Sequence, residues 1–256
     1  MIHVLHLDSS ARMGVRGEVA HGSHTRKLGQ RFAQQWLLNT PQQDQAATSL
    51  TYQRRDLAVH APTPISAQWI EAVFCPAAQR TPAMQALLAE SDTLIAELKQ
   101  ADVLVVGAPL YNFGPPAVLK AWVDQIVRIR ETFDFNPDLA DPYLPLLNDK
   151  PRSLVLLTSR GGFGFDAGAP LAHMNHLDPW LRDAMGLLGI TDMHSITMEY
   201  DETGGVALER SAAQALAAID ALVPQLIARH RPYSGQRQVS ASHSSMTHLA
   251  KTADLA

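Results

Sequence analysis

The chain predicts an α/β fold: a doubly wound, five-stranded parallel sheet in the order 2-1-3-4-5 with helices on both faces. Two observations lead there. Apolar runs of strand length alternate along the chain with segments whose apolar residues recur at helical spacing. One stretch, residues 101–125, reads in sequence as an apolar strand, a small-residue turn, a polar and aromatic loop, and a helix opened by Pro115 and Pro116. In open parallel sheets such loops lie at the carboxyl ends of the strands, where ligands bind. With 256 residues, 46% of them hydrophobic, the chain is long enough for one sizeable core.

The elements follow in order. Residues 2–7 form an apolar-rich first strand, and residues 25–38 carry Leu28, Phe32, Ala33 and Trp36 at helical spacing. Residues 49–57 read as the second strand, 84–99 as the second helix, 102–108 as the third strand and 117–129 as the third helix. The fourth strand is expected over 152–157 and the fifth over 193–199, separated by a helix over 171–188 that Pro179 interrupts. Gly204 and Gly205 turn the chain into a closing helix with Leu216, Ile219, Leu222, Val223, Leu226 and Ile227 on one face, kinked at Pro224. These elements make one domain over residues 1–230. Residues 58–81, with Pro62, Pro64, Trp69 and Phe74, are too long for an ordinary connection and form an excursion with a packing role of its own, such as covering a neighbouring subunit. Residues 231–256 are Ser/His/Gln-rich and poor in large apolar side chains, the composition of a mobile tail.

Composition excludes several classes of function. A formal charge of −4 with mixed signs provides no nucleic-acid footprint. No unbroken apolar run approaches the roughly 18 residues of a membrane span, and His3, His6 and Asp8 interrupt the apolar start of the chain, so a cytoplasmic protein is expected. Cys75 is the single cysteine and reads as an idle thiol. His173 and His176 share a spacing that suits one helix face, but no third metal ligand follows at a recognised spacing, and no metal is expected.

Nucleotide chemistry has to come from somewhere other than the common fingerprints. There is no Gly-x-Gly-x-x-Gly after the first strand and no Gly-Lys-Ser/Thr loop anywhere. After the first strand stand Asp8-Ser9-Ser10, an arginine- and glycine-bearing loop, and Gly22-Ser23-His24-Thr25 at a helix start. Hydroxyls and free N–H groups at a helix N-terminus make a phosphate site, although Ser23 or Thr25 also reads simply as a helix cap. Leu110, Tyr111, Asn112 and Phe113 suit a flat ring with polar edges; alternatively the aromatics pack on the sheet and Asn112 is a turn residue. Ser159-Arg160-Gly161-Gly162 is a tight turn in any fold, its glycines permitting positive φ, and its N–H groups can also face an anionic ring edge. The three loops follow strands one, three and four, and converge on one crevice.

The Tyr111-Asn112-Phe113 loop, the preceding Ser91-Asp92-Thr93-Leu94-Ile95-Ala96-Glu97-Leu98-Lys99, the Thr158-Ser159-Arg160-Gly161-Gly162 loop and Gly189-Ile190-Thr191-Asp192 resemble the FMN-dependent NADH:quinone oxidoreductases and azoreductases of the flavodoxin-like fold. The resemblance runs, with insertions, from residue 1 to about residue 228. It implies that Ser10, Ser23, His24 and Thr25 hold the phosphate of FMN, and that Leu110 to Phe113 and Ser159 to Gly162 hold its ring. It implies NADH or NADPH as co-substrate, a quinone or azo compound as acceptor, and a homodimer whose second subunit completes the site. Phe133 and Phe135 match the aromatics of that shared pocket, and Phe163 and Phe165, which flank Gly164, are further candidates for the substrate pocket. The chain departs from the family in its longer loop over 11–21, in Gly114-Pro115-Pro116, and in Gly164, which stands where the family often carries histidine. A flavodoxin-type electron carrier is the rival, disfavoured by the modest charge, and a flavin-free binding module of the same fold is the third reading.

Overall fold

The computed structural model describes residues 1–40 and 51–231. Its central sheet runs β2(Tyr52–Asp56), β1(Val4–Asp8), β3(Val103–Pro109), β6(Ser153–Ser159), β7(Asp192–Met198), every neighbouring pair parallel. This is the expected order once the main-sheet strands are counted alone. Positions 49 and 50 of the anticipated second strand lie outside the described residues, as does the tail from 232 onward. The anticipated first strand is shifted: it starts at Val4 and takes in Asp8.

Every residue of β1, β3 and β6 is buried, because helices cover both faces of the sheet. On one face α1(His24–Asn39) and α6(Gly205–His230) press Leu28, Phe32, Trp36, Ile219 and Val223 against Val4, Val103, Val105, Val155 and Leu157. On the other, α3(Pro82–Gln100), α4(Ala117–Ile126) and α5(Asp178–Leu188) contribute Leu94, Leu98, Leu119, Trp122, Leu181 and Met185 over Leu5, Leu7, Leu104, Val106, Leu154 and Leu156. Each large side chain buried this way contributes about 1.5–3 kcal/mol. By length and composition α6 meets the test for a membrane-crossing helix. A count of unbroken apolar runs passes over it, whereas here its apolar stripe lies in the core.

Two segments depart from the sequence reading. Residues 171–177 do not begin a helix: they make one 3-10 turn, Ala172–Met174, and α5 starts at Asp178 with Pro179 in its first turn, where a missing N–H costs nothing. Pro179 therefore opens the helix rather than interrupting it. Pro224 lies inside α6, which continues past it to His230. The connection after α4 contains an antiparallel hairpin that the sequence reading lacks, β4(Phe133–Phe135) paired with β5(Tyr143–Pro145). The 58–81 excursion folds onto its own chain. Its helix α2(Ala67–Phe74), capped by Ser66, buries Trp69, Ala72 and Val73 against Leu88 of α3.

Candidate functional site

At the carboxyl ends of β1, β3 and β6 lies a cleft of about 310 Å³, between the point where the chain leaves β1 for α1 and the point where it leaves β3 for α4. Such a reversal of winding direction is where an open α/β sheet gapes. Ser10, Ser23, Leu110, Tyr111, Asn112 and Gly161 all line it.

The β1–α1 loop is built to expose donors. The Ser23 hydroxyl caps α1 by accepting from the Arg26 N–H (3.3 Å), and it meets the Thr25 hydroxyl at 2.9 Å. Thr25 is fully buried, so it stands behind Ser23 rather than on the cleft wall. The N–H groups of His24 and Thr25, at the first turn of α1, have no partner among the described residues, as helix geometry requires. Arg26, which the sequence reading did not single out, braces the loop from below: its guanidinium donates to Ser10 O (3.1 Å) and Arg12 O (3.0 Å) and pairs with Asp56 at 2.6 Å. That pairing holds the Asp56 carboxyl below its ordinary range despite burial.

The second loop is a tight turn. Tyr111 and Gly114 exchange both backbone hydrogen bonds, at 3.1 and 3.0 Å, around Asn112 (φ 48°) and Phe113 (φ 68°). Two successive positive φ angles define the mirror-image turn that ordinarily takes Asn-Gly. Asparagine tolerates this region and phenylalanine does not, so the turn stores strain at the cleft. Leu110 N–H donates to Ser159 O (2.9 Å), tying this loop to the next, and the Tyr111 hydroxyl reaches Ser10 Oγ at 3.4 Å.

In the third loop the N–H groups of Gly161 and Gly162 have no hydrogen-bond partner among the described residues, while their carbonyls accept from Glu202 (3.0 Å) and Tyr200 (3.1 Å). Neither glycine uses the positive φ that its residue type permits. Close approach is the reason for glycine here: a Cβ on Gly161 would stand 2.5 Å from the Glu202 carboxylate, and one on Gly162 would stand 3.3 Å from the Phe165 ring. Ser159 is nearly buried at the cleft floor. The Arg160 guanidinium is wholly buried and committed to Asp166 (2.7 Å), Asp178 and Glu199 (3.3 Å each), none of which lines the cleft. Its buried Nε has no partner among the described residues.

A fourth loop, between β7 and α6, reaches the site unannounced by the sequence. Asp201 accepts from His24 Nε2 (2.9 Å) and from Arg12 Nη1 (3.2 Å), joining positions 177 and 189 residues apart, and Glu202 lines the cleft beside it. Burial holds His24 below the ordinary histidine pKa even against the pull of Asp201, so the neutral ring donates from Nε2 and its buried Nδ1 lacks a partner. The four phenylalanines expected to wall the substrate pocket do not converge on the cleft within one chain. Phe165 is buried and packs against Phe113 at 6.2 Å, Phe163 stacks on Tyr200 at 4.7 Å, and Phe133 and Phe135 sit on the β4–β5 hairpin against Tyr143. Phe113 itself is exposed and does not line the cleft. Among the described residues no cluster of ligating side chains could hold a metal.

The donor set fits a ring-bearing monophosphate: hydroxyls and free N–H groups at one end, a strained aromatic turn in the middle, and unpaired glycine N–H groups at the other. Comparison with known proteins agrees. The profile of a family described as having a flavodoxin-like fold matches residues 3–223. FMN-dependent NADH:quinone oxidoreductase 2 of Colwellia psychrerythraea is 38% identical over 229 residues, covering 89% of this chain and all of the relative. The protein of the same name from Idiomarina loihiensis is 40% identical over 227 residues, 88% of this chain and 91% of its own length. Among solved structures, an FMN-dependent NADH-azoreductase from Bacillus anthracis, in complex with FMN, superposes with a TM-score of 0.74 at 18% identity, over 88% of this chain and 99% of that one. The chain belongs to the flavodoxin-like family of FMN-dependent NADH:quinone oxidoreductases.

Proposed function

We infer that the protein is an FMN-dependent oxidoreductase that passes two electrons from NADH or NADPH to quinones or azo compounds. The observation that carries this reading is the meeting, in one cleft, of Ser23 and His24 at the open first turn of α1, Tyr111 and Asn112 of the next loop, and Gly161 with its unpaired N–H, the Gly162 N–H being unpaired beside it. Bound FMN supplies the hydride chemistry, and the chain binds, orients and tunes it. Ser10, Ser23 and the free N–H groups of His24 and Thr25 hold the phosphate, aided by the α1 dipole. Tyr111 and Asn112 set the height and tilt of the ring. The N–H groups of Gly161 and Gly162 stabilise negative charge at its pyrimidine edge. Nicotinamide and acceptor use the open side of the cleft in turn, which requires no separate nucleotide-binding domain.

The reading extends to a cytoplasmic homodimer. Exposed Ile70, Phe74 and Leu87 on α2 and α3 support a partner surface, as do exposed Phe135, Tyr143 and Leu144 on the hairpin, which bring the aromatics of one subunit within reach of another's cleft. The test is reconstitution with FMN followed by NADH and NADPH oxidation with menadione and an azo dye, alongside light scattering. Turnover that requires added FMN is the expected result. A protein that retains flavin but turns over neither acceptor overturns the enzymatic reading.

A further inference from the structure

Two cleft-lining side chains are suited to meet a phosphate, Arg12 and His24, and both are already held by one carboxylate. Asp201 uses Oδ1 for His24 Nε2 at 2.9 Å and Oδ2 for Arg12 Nη1 at 3.2 Å. The other cleft-lining arginine, Arg160, has its two terminal nitrogens on Asp166, Asp178 and Glu199, and the His24 ring is neutral. A phosphate entering beside Ser10 and Ser23 therefore meets, among the side chains that line the cleft, arginines already paired with carboxylates, and Asp201 in the same neighbourhood. Asp201 is also not free to swing far away. Its own N–H donates to Arg160 O at 3.2 Å, and the neighbouring Tyr200 and Glu202 N–H groups donate to Gly162 O and Gly161 O.

We propose that Asp201 is an internal competitor of the cofactor phosphate, holding Arg12 and His24 in its place and thereby setting how much of the flavin affinity the phosphate contributes. The proposal rests on the FMN reading of the cleft. Like charges brought together in a partly desolvated site repel strongly, and a cation shared between two anions is worth less to each. The competition is confined to the phosphate end, so it distinguishes FMN from riboflavin and leaves ring binding alone. It makes Asp201 a specificity-determining residue in a loop that carries no part of the ring site's own donor set.

The test is Asp201→Asn, which keeps size and an acceptor oxygen but removes the charge. Dissociation constants for FMN and riboflavin are measured by flavin fluorescence on the full chain, and binding of inorganic phosphate is measured separately by phosphorus NMR. The expected result is that FMN and inorganic phosphate bind about ten-fold tighter, equal to about 1.4 kcal/mol, with riboflavin unchanged. If FMN binds equally or more weakly, Asp201 positions Arg12 and His24 for the phosphate and the proposal is overturned. If FMN and riboflavin shift together, the residue acts through the shape of the cleft and the proposal is overturned as well. Failure of the wild-type chain to bind either flavin would sink the cofactor reading alone. The phosphate arm then decides the competition: tighter binding in the variant supports it and unchanged binding refutes it.

Discussion

The Glu202 carboxylate occupies the space that a Cβ on Gly161 would need, with Cδ and Oε1 both 2.5 Å from that position. Gly161 is thus required for closeness rather than for an unusual φ, and its conflict is with a flexible exposed side chain rather than with backbone. Gly161→Ala therefore folds, but displaces either Glu202 or the loop that carries the unpaired N–H. Loss of one preorganised donor costs up to roughly 2.7–4 kcal/mol in buried oxyanion holes and less in an open cleft. Slower reduction of the flavin-saturated variant by NADH is expected in stopped flow, with the rate restored in the double variant Gly161→Ala/Glu202→Ala. A double variant as slow as the single one would show that the glycine serves the ring and not the carboxylate.

The Asn112–Phe113 turn makes a second prediction. Phenylalanine in the left-handed region costs roughly 1–2 kcal/mol. Phe113→Gly relieves this, but it forfeits the contact with Phe165, worth roughly 0.5–1.5 kcal/mol, and adds chain entropy to the unfolded state. The terms nearly cancel, so a urea titration should place the variant within about 1 kcal/mol of the parent. Destabilisation of more than about 3 kcal/mol would mean that Phe113 is retained for packing.

Gly22 is constrained by backbone. A Cβ there would lie 2.3 Å from Val15 O and 2.6 Å from Arg16 N, and these atoms cannot rotate aside. Gly22→Ala should open the loop ahead of Ser23, cost about 1–3 kcal/mol of stability as overpacking does, and weaken FMN more than riboflavin. Equal weakening of the two would place the damage away from the phosphate end.

Acid sensitivity should centre on His6. Burial lowers its pKa to about 4 from 6.5, with Asp8 opposing, and the Tyr52 hydroxyl lies 3.0 Å from its Nδ1. The unfolded chain takes up the proton below pH 6.5 and the folded one only near pH 4. The stabilising contribution is therefore complete above pH 6.5 and is lost as pH falls from 6.5 toward 4, about 3 kcal/mol in all. His6→Asn should flatten the stability profile across that window in denaturant titrations at stepped pH. An unchanged slope would assign the acid loss to other groups.

Fold and site differed in how readily the sequence revealed them. β1, β3 and β6 stand out because strands covered on both faces are continuous apolar runs; Ser10 and Tyr111 are identifiable because each follows such a run, and Ser23 because it opens a helix. The β4–β5 hairpin was not, since Phe-Asp-Phe and Tyr-Leu-Pro are too short to establish a period. Pro179 was misread because the same residue that breaks a helix interior also opens a helix. Asp201 and Glu202 were silent: an acidic loop carries no pattern, and the partners that explain it lie 177 and 41 residues away. The burial of the Arg160 guanidinium was equally invisible, because Asp166, Asp178 and Glu199 meet it only in the folded chain.

The central claim, that the first turn of α1 and the two loops beside it hold FMN by its phosphate and ring, is tested most directly by titrating FMN into the wild-type chain and Ser23→Asp. Aspartate caps a helix as well as serine does, so the variant keeps α1 while placing a negative charge where the phosphate would sit. The account predicts one FMN per wild-type chain at micromolar concentration, at least about ten-fold weaker binding in Ser23→Asp, and matching melting temperatures without flavin. Flavin binding of equal strength in both proteins, or in neither, would contradict it.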